Sequence, residues 1–182
     1  EGEALVFEKA DWVLSRLKAL PPRVLFVPGQ HIPYLGKEHL IHHRGDRRGV
    51  VWREDDEIQV AGRAEFISRR VTDLFKREAR REILALVETK AKILGKPCGK
   101  ISIRDTRSRW GSCSSSGNLS FCWRLVMTPH WVLEYVVAHE VAHLAHHNHG
   151  AQFWQTVDGL TDRTEEAKSW LVKNGESLHR YG

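Results

Sequence analysis

The sequence predicts an α+β fold, and three observations carry that prediction. Several long stretches place apolar residues three and four apart, as helices do. Shorter runs alternate or cluster β-branched residues, as strands do. Glycine and proline punctuate the boundaries between the two textures. At 182 residues the chain fits one domain. Its 41% hydrophobic content supports a real core. Residues 1–63 read as an N-terminal helix with a small β-rich extension, and residues 64–182 as the main core. The two parts are expected to form one compact unit.

The elements follow in order. Residues 4–20 read as a helix, with Phe7, Ala10, Val13, Leu14 and Leu17 on one stripe, ended by Pro21 and Pro22. From Val24 to about Val60, short apolar runs alternate with Gly, Pro and charge. Val24–Val27, Leu40–Ile41 and Gly49–Trp52 read as strands of a small antiparallel sheet. His31, His39, His42 and His43 lie here without the spacing of a metal set, and an exposed sheet face accounts for them. Ala64 to Leu94 is a long helix whose stripe runs through Ile67, Val71, Leu74, Phe75, Ala79, Ile83, Leu86 and Val87. Gly95 and Pro97 stop it. Its other face mixes Arg69, Arg70, Lys76, Arg77, Arg80 and Arg81 with Asp73, Glu78 and Glu82, as a solvated, salt-bridged face does.

Ile101–Ile103 and Leu119–Phe121 read as strands, with a turn over Ser114–Asn118. Before that turn, Arg109-Trp110-Gly111 is an unusual composition. Hairpin packing around Trp110 explains it; so does a strand edge beside a cleft, holding an extended peptide by main-chain pairing. The next helix is expected from about Pro129 to His147, with Thr128 as N-cap and Pro129 in first position. A short helix starting near Gln152 and a last helix over Thr164–His179 both read as structural.

Composition sets limits. No apolar run is long enough to span a bilayer. No charged-then-apolar leader with a cleavage site is visible, and the chain opens Glu1-Gly2-Glu3, as a fragment or processed product would. Cys98, Cys113 and Cys122 are odd in number and lack Cys-x-x-Cys spacing, which favours a reducing cytoplasm over a disulfide framework. Cys113 and Cys122 are expected to face each other across a hairpin as free thiols. A net charge of +5 is compatible with nucleic acid as a partner without requiring it.

The chemistry concentrates in His139-Glu140-Val141-Ala142-His143 and His149. One helical turn places His139 and His143 on the same face, where one metal ion can take both. Glu140 projects about 60° round the helix from His143, within reach of an attacking water. A catalytic zinc takes three protein ligands, and His149 is the best third candidate. A straight helix would carry His149 roughly 9 Å further and roughly 240° round, so the helix must end first. Asn148 and Gly150 suit that break, because they tolerate the left-handed conformation. The pattern points to zinc-assisted hydrolysis of an amide bond with one Zn²⁺ and with Glu140 as general base. Arg109, Tyr135 and His147 are candidate oxyanion donors, and Trp110 joins them as a candidate substrate contact. His146 has no assigned role.

Arg109-Trp110-Gly111-Ser112-Cys113, Trp123-Arg124-Leu125, the helix to His143, Asn148-His149-Gly150 and Phe153-Trp154 together resemble the YgjP-like metal-dependent hydrolases, relatives of the SprT-like peptidases. The resemblance runs from about Ile101 to the C-terminus. It implies a zincin-like core, with the active-site helix packed on a small mixed sheet, and zinc on His139, His143 and His149. Gly150 stands where the family usually has serine. The spacing from His139 to His149 also matches metzincin peptidases. Those carry glycine where His146 stands and a methionine after the ligands, whereas Met127 precedes them. That group is therefore excluded. A peptide or protein is the expected substrate. Rival readings stay open: a nucleic-acid-associated protease, a non-peptide amide hydrolase, or a metal-binding module without catalysis. Glu140 argues against the last. The oligomeric state is not legible.

Overall fold

The computed structural model describes Ala10 and residues 22–182. The helix expected over residues 4–20 lies, Ala10 apart, outside the described residues. The described part is α+β, with two small mixed sheets and four helices.

The first sheet contains β1 (His31–Tyr34), β2 (Lys37–Arg44), β3 (Val51–Glu54) and β4 (Glu57–Ala61), in the order β1-β2-β4-β3. The expected all-antiparallel arrangement is corrected here, because β2 and β4 run parallel. The β3–β4 hairpin turns back so that β4, not β3, lies beside β2. Val24–Val27 is not a strand of this sheet. Only Val24 pairs, through a single parallel bridge to Tyr181 near the C-terminus. Of the local histidines, His39 is buried rather than on an exposed face. His43 faces the Gly62 carbonyl at 2.5 Å and His42 pairs with Glu57 at 3.2 Å.

A 3₁₀ turn, Ala64–Phe66, leads into α1 (Ile67–Leu94), the longest helix. Its predicted stripe is the buried one. Gly95 ends it in the left-handed conformation (φ 67°), as a helix-stopping glycine does. Part of the basic face is tied to the protein itself. Arg70 donates to the Ala61 carbonyl, while Arg77 and Arg81 pair with Glu78 and Glu82.

The second sheet holds β5 (Ile101–Arg104), β6 (Gly111–Cys113) and β7 (Leu119–Cys122), in the order β5-β7-β6. β5 runs parallel to β7, and β6 antiparallel. The expected Cys113–Cys122 pairing is corrected by the register. Cys113 sits opposite Leu119, while Cys122 is buried beyond the hairpin with its thiol on the Thr106 carbonyl. A 3₁₀ segment, Trp123–Met127, then feeds α2 (His130–Ala142), followed by α3 (Ala151–Leu160) and α4 (Thr164–Leu178). No helix among the described residues is long and apolar enough to cross a membrane.

One buried cation ties three helices. Lys90 of α1 is 3% exposed, and its ammonium donates to Glu134 of α2 at 2.8 Å and to the Leu160 carbonyl ending α3 at 2.6 Å. The Leu160 carbonyl is one that α3 cannot satisfy internally. Replacing Lys90 with methionine keeps the stem and strands that carbonyl. Glu134 is a third exposed and turns to water. The expected loss of unfolding free energy is about 1–3 kcal/mol in urea titration. An unchanged midpoint would show that the pair contributes nothing net.

Candidate metal centre

α2 crosses the interior, and Val132, Leu133, Val136, Val137 and Val141 are all buried. Its start lies one residue later than expected. Pro129 is the N-cap, and Thr128 instead donates to the Leu125 and Pro129 carbonyls. Its end comes earlier than expected, at Ala142. His143 is the C-cap, and the chain closes a tight turn through Leu144 to Val141 and His146 to Ala142. The reversal therefore happens before Asn148. No left-handed residue is needed, because Gly150 has φ −77° and serves as the N-cap of α3. His149 is thus delivered by the approach to a new helix, not by a glycine stop.

This path brings three imidazoles together. One ring nitrogen from each of His139, His143 and His149 lies within 4.8 Å of the others. Nε2 of His139 and Nε2 of His149 are 3.2 Å apart. Two nitrogens on a tetrahedral zinc, each about 2.0–2.1 Å from the ion, stand roughly 3.3 Å apart, so the spacing fits. Nδ1 of His143 donates to the His146 carbonyl at 2.9 Å, which leaves Nε2 with the free lone pair. Burial, followed by the neighbouring histidines, pushes His139 down to about 4. Burial also lowers His143. Both shifts favour the neutral ring, the state a metal needs.

Phe153 of α3 forms the floor. It is fully buried, with its ring centroid 4.9, 4.6 and 4.7 Å from those of His139, His143 and His149. Trp154 stacks on His149 at 5.9 Å. Both aromatics read as merely structural in sequence, because the extended approach through Gly150 that brings His149 over Phe153 leaves no helical spacing between the two.

Glu140 is 5% exposed. Burial pushes its carboxyl up to about 7, and the nearby Arg109 charge opposes the rise. Its Oε2 finds no hydrogen-bond partner among the described residues, and neither does Nδ1 of His139. β6 passes directly over it. A Cβ on Gly111 would stand 2.5 Å from Cγ and from Oε1 of Glu140. Only glycine allows that approach.

The other candidates are placed unevenly. Arg109 is exposed, with its charge felt at Glu140. Tyr135 lies one turn before His139, ring to ring at 6.0 Å, and burial pushes its phenol up to about 12. Trp110 is turned to packing, stacked on His179 at 5.0 Å and against Gly175. His147 is exposed and makes no hydrogen bond among the described residues.

Gly111→Ala should displace the Glu140 carboxylate while leaving the histidines alone. The expected result is a loss of turnover of at least about tenfold, with metal content and unfolding midpoint close to wild type. Full activity in that variant would show that the Glu140 position does not matter.

No curated protein matches the chain. One solved structure, the metallopeptidase zymogen of Pyrococcus abyssi abylysin, is similar over 50% of this chain and 93% of that one, at 24% identity and a TM-score of 0.45. Residues 1–174 match the model of the YgjP-like metallopeptidase domain, so the chain belongs to that family.

Proposed function

We propose that the chain is a zinc peptidase in which His139, His143 and His149 hold one Zn²⁺ and Glu140 is the general base. The single observation behind this reading is the convergence of three imidazole nitrogens within 4.8 Å, next to a buried carboxyl raised to about 7. A Zn²⁺ ion held there supplies Lewis acidity, polarising a carbonyl and lowering the pKa of water to about 7. Three imidazoles suit zinc, although nickel or copper also accept such a set.

The protein's own groups supply the rest. Glu140 takes the proton of the attacking water and passes it to the leaving nitrogen. Its raised pKa suits both halves of that transfer. Tyr135, whose phenol keeps its proton across the physiological range, is the favoured donor to the developing oxyanion. Among the described residues β6 is paired on one side only, by β7, and its other edge offers main-chain hydrogen bonds to an extended peptide. Peptides or unfolded protein segments are the substrate class that such an edge fits.

Glu140→Gln keeps the shape and removes the base. It should bind metal as wild type does and lose about 10²–10⁴ of turnover on a peptide library, with metal content measured on both proteins. Undiminished hydrolysis by Glu140→Gln would sink this mechanism.

A second reading adds a polyanion that directs the peptidase. It draws on the arginines at one end of the first sheet. The guanidiniums of Arg63, Arg69 and Arg70 lie 5.7, 5.2 and 5.6 Å from the Phe66 ring, and Arg47 lies 5.9 Å from Trp52. Arginines around aromatic rings suit single-stranded nucleic acid. Binding of a labelled oligonucleotide should then weaken steeply with salt and fall in an Arg47→Ala, Arg69→Ala double variant. No affinity at low salt would remove this reading.

A further inference from the structure

The two ligands of the helix and the ligand of the loop are held in different ways. His139 and His143 stand on the last turn and cap of a buried helix, and the His143 ring is further fixed by the His146 carbonyl. His149 has neither support. It lies outside any helix, is exposed, and its ring makes a hydrogen bond only to His139 among the described residues. A metal-binding histidine is usually aimed by a hydrogen bond from its other ring nitrogen, with large losses of affinity when that partner goes. Something else must aim His149.

We propose that Trp154 is the positioning residue for His149, with an aromatic face in place of the usual hydrogen bond. The inference rests on His149 being the third metal ligand. The indole lies nearly parallel to the imidazole, 28° between planes and 5.9 Å between centroids. Phe153 meets the same imidazole nearly at right angles, 83° at 4.7 Å. One ring sets the plane of His149 and the other blocks rotation within it. Trp154 is itself well anchored. Its backbone N–H donates to the Gly150 carbonyl in the first turn of α3. The Lys168 ammonium sits 3.7 Å from the indole centroid, and Lys168 is braced by Glu165 at 2.6 Å. A line of contacts thus runs from α4 through Trp154 to the loop histidine.

The stack also responds to charge. An aromatic face attracts positive charge. The imidazole becomes more positive when its lone pair goes to a dication. The indole therefore holds His149 more strongly in the state that binds metal than in the free state. That coupling separates a positioning role from simple packing, because an aliphatic side chain of similar bulk would pack without it.

The test uses the full chain, stripped of metal, titrated with Zn²⁺ against a chromophoric chelator. Co²⁺ absorption serves as a second readout of tetrahedral geometry. Trp154→Leu should weaken Zn²⁺ binding about 10–100-fold and broaden the Co²⁺ bands. Trp154→Phe, which keeps a face, should stay within a few-fold of wild type. Metal-free unfolding midpoints of the two variants should agree with each other. His149→Ala is measured alongside and should lose about a hundredfold or more. If His149→Ala binds as wild type does, the ligand reading fails. If His149→Ala falls but Trp154→Leu matches Trp154→Phe, the positioning role is overturned while the ligand reading stands. If Trp154→Leu does not fold, Trp154→Met takes its place: a tenfold or greater loss relative to Trp154→Phe supports the proposal, and equal affinities overturn it.

Discussion

The arrangement depends on one constraint: α2 is apolar nearly all round and yet its last turn and cap carry His139, Glu140 and His143. Val132, Leu133, Val136, Val137, Ala138, Val141 and Ala142 are buried against α1, α3, α4 and β6. A helix of that kind has no solvent face, so it must occupy the interior. Its last turn is then desolvated before any metal is considered. That is why His139 is held neutral and why Glu140 rises to about 7. The acid–base properties of the site follow from where the helix lies more than from pairwise contacts within the site.

The surroundings are shaped to accept those buried polar ends. Gly111 gives Glu140 room that no side chain would leave, and it sits in β6 because the hairpin register fixes it opposite Phe121. Trp110, one residue earlier, is pinned against His179 and Gly175 of the C-terminal segment. The Trp110 carbonyl accepts the Cys122 N–H at 2.8 Å, which locks the start of β6 to the end of β7. The strand that touches Glu140 is thus held through Trp110 to both β7 and the C-terminal segment, and a small displacement there would reach Glu140 directly.

The helix and its motif were legible in the sequence because both depend on local spacing. His139 and His143 at one turn, the apolar run before them and the stop at Gly95 of α1 are all short-range signals. The break after His143 was misplaced. Asn148 and Gly150 looked like a left-handed stop, whereas the chain turns earlier and reuses Gly150 as a cap. The sequence carries the capacity for a turn at several positions, and tertiary contact selects one. The parallel β2–β4 pairing was illegible for a similar reason. Alternation reports that a segment is a strand but not which neighbour it takes. Phe153 and Trp154 were readable as apolar and helical. The contact of Phe153 with three imidazoles, and of Trp154 with two, depends on a reversal that no local pattern encodes.

A buried carboxyl and an imidazole nitrogen without partners are costly in a folded chain. Glu140 and His139 both carry such atoms, in the same helical turn, where an apolar pair of equal size would pack at no such cost. Structural burial of polar groups normally comes with satisfied hydrogen bonds, as Lys90 shows on the other side of the same helix, with two partners for one ammonium. Lys90 is buried with its partners in place and ties helices together. Oε2 of Glu140 is buried without a partner among the described residues, in the helical turn that also carries His139 and His143. A carboxyl left in that state would gain its compensation from a group that enters beside it, and the three imidazoles nearby are a donor set suited to a dication.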